Sequence, residues 1–180
     1  MILLDTVPSP VGPISLAADA RALVALEFGG PEPLVARLRS RFGDAVELLG
    51  ADDPLGLSAR VRAYLAGELA ALADVPVDGG GTAFQRRVWA ALREVPAGGT
   101  ASYAEIASRV GAAGFRAARA VGLASARNPI AIAVPCHRVV GADGSLTGYA
   151  GGLERKRWLL AHERARGFTR DLFAARSAAP

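Results

Sequence analysis

The chain contains a single cysteine, Cys136, which is followed directly by His137 and Arg138. A thiolate is a strong nucleophile, and a neighbouring imidazole and guanidinium supply the base and the positive potential that lower the pKa of a thiol. The apolar run Ile130–Val134 precedes the cysteine and ends at Pro135, which predicts a sulfur just beyond a buried segment. A lone cysteine is more commonly a small buried apolar residue, so its two neighbours carry the argument for a nucleophilic site.

A carboxylate suited to pair with the histidine lies further along the chain, at Glu163. It falls near the end of a strongly amphipathic pattern that predicts a helix over Leu153–Arg166, where the helix dipole disfavours an acid. The acid is therefore a candidate charge partner for the imidazole. The alternative is an exposed glutamate that pairs with Arg164 or Arg166.

Two capping-box sequences, Thr82-x-x-Gln85 and Ser102-x-x-Glu105, begin helices in the second half of the chain. A glycine-containing turn separates these helices, further glycines end the second one, and another helix is predicted over Phe115–Ser125. This order is typical of a helix-turn-helix, and a plain helical hairpin fits it as well.

The helix Phe115–Ser125 combines arginine with unusually small residues. Small side chains let a helix backbone approach a surface closely, and arginine binds phosphate. A core helix of this length usually has larger apolar residues, so the composition favours a nucleic-acid-binding helix. The residues concerned are Arg116, Ala117, Ala118, Arg119, Ala120 and Gly122.

The charge is distributed unevenly between the two halves of the chain. Residues 1–80 carry a net charge of −5 and residues 81–180 carry +9, which together give the overall +4. A basic half of this kind indicates a polyanionic partner, with nucleic acid first and a membrane surface second. Lys156 is the only lysine, so an arginine-rich composition is the alternative explanation.

Composition excludes several classes of protein. An apolar fraction of 51% and a charged fraction of 21% exclude a disordered chain. One cysteine cannot form an intrachain disulfide, and two histidines without a CxxC pair argue against structural zinc. No apolar run approaches the roughly 20 residues that span a bilayer, and the N-terminus shows no signal pattern. We therefore expect a cytoplasmic protein with no membrane contact, metal or cofactor.

The expected fold class is α+β. Short connections between the first three strands predict antiparallel neighbours. The strands are expected at Ile2–Thr6, Ile14–Ala18 and Leu23–Phe28, the following helices at Leu34–Phe42 and Leu55–Leu72, and a linker at Val75–Thr82. We predict a supporting domain over residues 1–78 that holds this small antiparallel sheet with its helices. A mostly helical, winged-helix-like domain with the helix-turn-helix follows over residues 82–166, and residues 167–180 form a loosely ordered tail.

From Phe84 to Glu163 the chain resembles the O6-alkylguanine-DNA alkyltransferases, in which the Pro-Cys-His-Arg-Val run is highly specific. The other matching motifs occur in order around that run. The matching segments are Phe84-Gln85-x-x-Val88-Trp89-x-Ala91-Leu92, Pro96-x-Gly98-x-Thr100-x-Ser102-Tyr103, Arg119-Ala120-Val121-Gly122, Asn128-Pro129, Pro135-Cys136-His137-Arg138-Val139, Gly148-Tyr149-x-Gly151-Gly152-Leu153-x-x-Lys156 and Leu159-Leu160-x-x-Glu163.

The resemblance implies roles for individual residues. Cys136 would accept an alkyl group irreversibly from O6 of guanine in duplex DNA, or from O4 of thymine, once per molecule. His137 would act as a base through a water and Glu163 would orient it. Asn128 would brace the turn and Tyr103 would protonate or hydrogen-bond the leaving guanine. The remaining substrate contacts would be the backbone N–H of Ala150, the carbonyls of Cys136 and Val139, and the pocket residues Tyr149 and Ser125.

The same resemblance implies that helix Phe115–Ser125 enters the minor groove of double-stranded DNA. Arg119 would fill the stack after the damaged nucleotide is flipped out, since O6 inside a base pair cannot align with a sulfur nucleophile. The other residues expected to contact DNA are Arg116, Ala117, Ala118, Ala120, Gly122 and Arg138.

Some features depart from the family pattern. The turn before Phe115 lacks the usual proline, and Ala131 stands where some members have a second proline at the pocket rim. The N-terminal zinc ligands of some members, and the cysteine-rich domain fused to others, are missing, so we expect a stand-alone, monomeric repair protein. Two alternatives stay open: a relative that flags lesions without transfer, in which the cysteine is usually replaced by Trp, and a Cys-His-Glu hydrolase.

Overall fold

In the computed structural model, residues 1–165 are described and form an α+β fold, as expected. The expected tail over residues 167–180 lies outside the described residues. The strands are β1 (Ile2–Val7), β2 (Ile14–Ala18), β3 (Leu23–Phe28), β4 (Leu48–Gly50), β5 (Ala101–Ser102) and β6 (Val139–Val140). The helices are α1 (Pro31–Phe42), α2 (Leu57–Leu65), α3 (Ala83–Arg93), α4 (Tyr103–Arg109), α5 (Phe115–Ala126) and α6 (Leu153–His162).

The N-terminal sheet has the strand order β3-β2-β1-β4. The first three strands pair antiparallel, as the short connections predict. Sequence reasoning missed β4, which pairs parallel to β1 through Leu48 opposite Ile2 and Leu49 opposite Leu3. This strand has only three residues and is largely exposed, so it carries no alternating apolar pattern that could reveal it.

Both faces of this sheet are covered. Leu34 and Leu38 of α1 pack with Ile2 and Val24 on one face. The other face belongs to a larger core that runs from the sheet to helices α3, α4 and α5. All five residues of β2 are buried, as expected for a central strand between two apolar layers.

Several predicted helices have different bounds in the structure, among them α6, which ends at His162 rather than Arg166. Helix α1 begins at Pro31 rather than Leu34, since proline is well suited to the first turn of a helix. Helix α2 ends at Leu65 rather than Leu72, because the chain turns at Gly67, whose φ of 109° is outside the helical range.

The segment predicted as a linker lies against strand β3. The N–H of Leu23 donates to the carbonyl of Pro76 and the N–H of Asp78 donates to the carbonyl of Leu23, both at 2.9 Å. Further along β3, the N–H of Leu26 donates to Pro129 at 2.9 Å and the N–H of Ala131 donates to Leu26 at 2.7 Å. Strand β3 is therefore hydrogen-bonded to the turn that leads to the cysteine. The division of the chain into two domains at residues 78–82 stays a prediction.

The second half contains the expected helical motif. Complete capping boxes begin α3 at Thr82 and α4 at Ser102. Helices α4 and α5 pack together, and Gly114 precedes the first residue of α5. The indole N–H of Trp89 donates to the carbonyl of Ala124 at 2.9 Å, which fixes α3 against α5.

Among residues 1–165, no helix is long and apolar enough to cross a membrane. The same part of the chain has no cluster of histidine, cysteine and acidic side chains suited to hold a metal ion.

Candidate active site and DNA-binding face

The cysteine lies in a short 3-10 turn, Cys136–Arg138, directly after Pro135. The preceding apolar segment, residues 130–134, is a turn rather than a regular strand or helix. Within it Ile132 is buried and has a φ of 67°. A β-branched residue in the left-handed region is strained, and such strain persists where the surrounding structure holds the backbone in place.

Asn128 holds this turn together. Its Nδ2 donates to the carbonyl of Val134 at 2.8 Å and to Sγ of Cys136 at 3.2 Å, and its Oδ1 accepts from the N–H of Ile130 at 3.0 Å. The side-chain amide of Asn128 therefore forms hydrogen bonds with the start of the turn, with its end and with the sulfur of Cys136. The structure therefore places Asn128 where a brace for the nucleophile would lie.

Burial raises the pKa of the Cys136 thiol, whereas the sequence argument expected His137 and Arg138 to lower it. The reason is that the sulfur is removed from water, which disfavours the thiolate. The Asn128 hydrogen bond and the charge of Lys156 oppose this effect. The site therefore needs a base to remove the thiol proton.

Lys156 is fully buried next to the cysteine turn. Its Nζ donates to the carbonyl of Val139 at 2.6 Å and to the carbonyl of Thr147 at 2.8 Å. Burial lowers the pKa of Lys156 to about 8, and the nearby Cys136 thiolate would raise it. This ammonium connects the strand after the cysteine to the glycine-rich loop before α6.

The candidate base is His137, whose side chain is fully buried. Its Nε2 lies 3.0 Å from Oε1 of Glu163. Burial lowers the pKa of His137, so its neutral form is favoured. Because an ionised carboxylate only accepts hydrogen bonds, Nε2 carries the proton and Nδ1 has a free lone pair. Within the described residues, Nδ1 is buried without a hydrogen-bond partner, which leaves it available as a base.

Glu163 follows directly after α6 and is buried, so the alternative of an exposed glutamate is wrong. Its carboxylate accepts from Nε and Nη2 of Arg138 at 2.9 and 2.8 Å, and from the hydroxyl of Tyr64 at 2.7 Å. Burial acts to raise the pKa of Glu163, but the hydrogen bonds and charges of His137 and Arg138 hold it well below its usual range.

We predicted that Arg138 contacts DNA, but the structure places its side chain in the interior. The side chain is buried, and its remaining Nη1 donates to the carbonyl of Val95. An interior guanidinium bonded to a carboxylate and a carbonyl has its donors directed away from solvent. The structure therefore makes Arg138 a partner of Glu163.

A cavity of about 120 Å³ borders Cys136. It is also lined by the expected pocket residues Ser125, Tyr149 and Ala150. Ser125 Oγ and the Tyr149 hydroxyl are buried and have no hydrogen-bond partner within residues 1–165. Unpaired buried polar atoms are costly, so this cavity is suited to a polar ligand. Val139, another expected pocket residue, is buried outside this lining and offers its carbonyl to Lys156.

Tyr103 is separate from that cavity. It borders a groove of about 380 Å³ on α5, together with Arg119 and Thr147. The hydroxyl of Thr147 donates to the hydroxyl of Tyr103 at 3.1 Å. A Cβ added at Gly122 would lie 3.6 Å from the Tyr103 ring, which is an ordinary van der Waals distance, so α5 and the tyrosine lie side by side at this position.

Helix α5 presents an exposed basic and apolar face. Phe115 is 78% exposed and Leu123 is 61% exposed, and Arg116 and Arg119 are also exposed. The small residues of the helix, Ala117, Ala118, Ala120 and Gly122, are half-buried. Large apolar side chains that remain exposed beside arginines are typical of a binding surface.

Sequence reasoning assigned no role to two of the residues in this site. Tyr64 lies 99 positions before its partner Glu163, so no local pattern could reveal it. Lys156 was noticed only as the single lysine and as part of a motif. The sequence did hold one signal for a special role of Lys156, namely that it is the only lysine in an arginine-rich chain. Ammonium and guanidinium groups are not interchangeable at buried positions.

Comparisons with known proteins identify the family of this chain. A family model described as 6-O-methylguanine DNA methyltransferase, DNA binding domain, matches residues 83–165. A second, described as 6-O-methylguanine DNA methyltransferase, ribonuclease-like domain, matches residues 2–79. The chain therefore belongs to the 6-O-methylguanine DNA methyltransferase family.

Individual relatives agree with the family assignment. Methylated-DNA–protein-cysteine methyltransferase of Shigella flexneri is 43% identical over 165 residues, which cover 90% of this chain and 95% of the relative. The protein of the same name from Mycobacterium tuberculosis is 49% identical over 167 residues, covering 92% and 94%. The crystal structure of the Mycobacterium tuberculosis protein in complex with DNA matches with a TM-score of 0.74 and 44% identity, covering 90% of this chain and 92% of that one.

Proposed function

We propose that this chain repairs DNA by direct reversal, transferring one alkyl group from O6 of a guanine in double-stranded DNA to Sγ of Cys136. It would act as a methylated-DNA–protein-cysteine methyltransferase that is used once. The observation that carries the proposal is the buried His137–Glu163 pair next to the only thiol of the chain, with a free lone pair on the imidazole.

The first step is removal of the thiol proton. Because burial raises the pKa of Cys136, few thiolates exist before substrate binds. His137 accepts the proton at Nδ1 through a water, and the imidazolium that forms is stabilised by Glu163. Arg138 and Tyr64 keep that carboxylate ionised and fixed in position, so they are positioning residues.

The second step is an in-line displacement. A bond forms between Sγ and the alkyl carbon as the bond between that carbon and O6 breaks. The guanine gains one proton, which balances the one lost by the thiol. The role expected of Tyr103 toward the leaving base requires the base to reach the groove on α5 that Tyr103 borders. The product is a thioether, and this mechanism has no step that cleaves it, so each molecule reacts once.

The cavity beside Cys136 is where we place the reacting base and its alkyl group. The backbone N–H of Ala150 would donate to O6, while the carbonyl of Cys136 would accept from the exocyclic amine. The Val139 carbonyl lies outside this lining and accepts from Lys156, so we do not place it at the base. Tyr149 and Ser125 supply two buried hydroxyls that have no partner in the described part of the chain, which favours a polar ligand. O4-alkylthymine is a second candidate substrate for the same space.

Helix α5 would bind the minor groove. Its half-buried alanines and glycine allow close approach, and its exposed arginines meet phosphate. Arg119 would enter the stack in place of the flipped nucleotide, since it borders the groove that contains Tyr103. All of these groups come from one chain, so a monomer is sufficient.

The test is incubation of the protein with a duplex that contains O6-methylguanine, followed by mass spectrometry of the peptide that bears Cys136. We expect a gain of one methyl group per protein molecule, with normal guanine restored in the DNA. DNA binding without a methylated peptide would instead indicate a lesion-binding protein. Turnover far beyond one equivalent would indicate a hydrolase.

A further inference from the structure

The N-terminal sheet forms one wall of the cavity beside Cys136. Leu26, Glu27 and Phe28, at the end of strand β3, line it together with the cysteine. Backbone hydrogen bonds between Leu26 and the 129–131 segment hold the strand against the cysteine turn. The mechanism above uses none of these strand residues, and one of them is ionisable.

Glu27 is that residue, and its side chain is only 14% exposed. Its Oε2 lies 2.8 Å from Nη2 of Arg37 on α1, which holds the carboxyl group in one orientation. Its Oε1 is buried and, within residues 1–165, has no hydrogen-bond partner. Burial raises the pKa of Glu27, and the charge of Arg37 opposes this effect.

An unpaired carboxylate oxygen at a cavity wall has a clear energetic consequence. A buried acceptor without a partner is destabilising, and a ligand that brings a donor to it recovers that free energy. Ser125 and Tyr149 also face this cavity, but their hydroxyls can donate as well as accept. An ionised Glu27 can only accept, so it distinguishes ligands that carry a donor from those that do not.

We propose that Glu27 is a specificity-determining residue that accepts a hydrogen bond from a hydroxyl group on the transferred alkyl chain. This inference rests on the proposed transfer to Cys136. Cys136 and Glu27 line the same cavity of about 120 Å³, and the proposal places the part of the alkyl chain beyond its first carbon in that shared space. The substrate class favoured is O6-(2-hydroxyalkyl)guanine.

The matched pair of substrates is O6-(2-hydroxyethyl)guanine and O6-propylguanine, which have the same number of heavy atoms and differ by a hydroxyl in place of a methyl. A site built to bind a hydroxyl rejects an analogue that lacks it, because its buried acceptor is left unpaired. The propyl group leaves the carboxylate desolvated without a donor, which is unfavourable. The wild-type protein should therefore transfer hydroxyethyl faster than propyl.

The experiment measures single-turnover rate constants on duplexes that contain each base, for the wild type, Glu27→Leu and Glu27→Gln. The readout is the ratio of the hydroxyethyl to the propyl rate constant within each variant, which cancels general losses of activity. We expect this ratio to fall about tenfold in Glu27→Leu and about threefold in Glu27→Gln, which keeps a neutral acceptor. The control is Glu47→Leu, since Glu47 is exposed and does not line the cavity.

A ratio that is the same in Glu27→Leu and the wild type overturns the inference about Glu27 and leaves the proposed repair reaction intact. If Glu27→Leu does not fold, the ratio of Glu27→Gln decides in the same way. Failure of the wild type to methylate Cys136 on an O6-methylguanine duplex overturns the proposed function itself, so the two failures are distinguishable.

Discussion

The interior of the site and the face of helix α5 use charged side chains in opposite ways. In the interior, Glu163 accepts hydrogen bonds from His137, Arg138 and Tyr64, and each of these four residues is buried. On α5, Arg116 and Arg119 are exposed, and neither forms an ion pair with another residue among residues 1–165.

The difference arises because water solvates an exposed charge but not a buried one. A buried charge must be paired within the protein, and the pairing fixes its position and shifts its pKa. An exposed arginine is solvated, so it stays free to meet the phosphates of a partner at little cost. We therefore expect interior substitutions to affect chemistry or stability, and α5 substitutions to affect only the steps that involve duplex DNA.

The largest effect is expected for Cys136→Ser. A serine hydroxyl is a far weaker nucleophile than a thiolate, so alkyl transfer should fall below detection by mass spectrometry. Binding of the duplex, measured by fluorescence anisotropy, should be largely retained, because the sulfur does not lie on α5. If binding were lost to the same degree, the thiol would be structural and the distinction between the two regions would fail.

The second-largest effect is expected for Glu163→Gln, which leaves the buried Arg138 without its carboxylate partner. Breaking one partner of a buried ion pair typically costs about 3–5 kcal/mol in the free energy of unfolding, measured by urea denaturation. The transfer rate should fall about a hundredfold, as expected for an impaired general base. The matched control is Glu154→Gln, an exposed acid in the first turn of α6, which should change the unfolding free energy by less than about 1 kcal/mol. Equal effects would argue against a buried network.

The stability difference between the wild type and Glu163→Gln should depend on pH. The pKa of Glu163 is lower in the folded protein than its usual value of 4.5, so its stabilising contribution is fully present above that pH. As the pH falls below about 4.5, the unfolded state binds the proton first and the contribution decreases. Urea denaturation between pH 7 and pH 3 should show the two proteins converging. A constant difference would show that the carboxylate charge is irrelevant to stability.

A smaller effect is expected for Arg119→Ala. Loss of the side chain that we propose stabilises the flipped state should slow transfer from a duplex about tenfold, and leave transfer from the free O6-alkylguanine base unchanged. Single-turnover kinetics on both substrates measure this. The matched control is Arg39→Ala on α1, an exposed arginine of the acidic half. The same loss on free base and duplex would contradict a role in flipping.

Arg116→Ala should have the smallest effect. This exposed arginine is expected to contact phosphate, so its loss should weaken duplex binding a few-fold and reduce the slope of log affinity against log salt by about 1. Transfer at saturating DNA should be unchanged. An unchanged salt slope would place Arg116 outside the DNA-binding face.

Sequence reasoning identified the elements whose signals are local. The two capping boxes, the first three strands and the start of α5 at Phe115 all follow from patterns within a few residues, and all occur in the structure. The elements it misjudged depend on context. Strand β4 forms only because β1 offers a free edge, and α2 ends early where Gly67 reverses the chain.

By itself, the sequence determined the candidate nucleophile, the candidate base beside it and the basic half that contains both, because these depend on residue type and short spacing. The tertiary structure decided the burial, the hydrogen-bond partners and the pKa values of those residues. It turned Arg138 inward, brought Tyr64 to Glu163 across 99 positions and raised the pKa of the thiol. It also placed Glu27 of the N-terminal sheet at the wall of the cysteine cavity. Burial and partners distant in the chain control these properties, and neither is encoded in any local pattern.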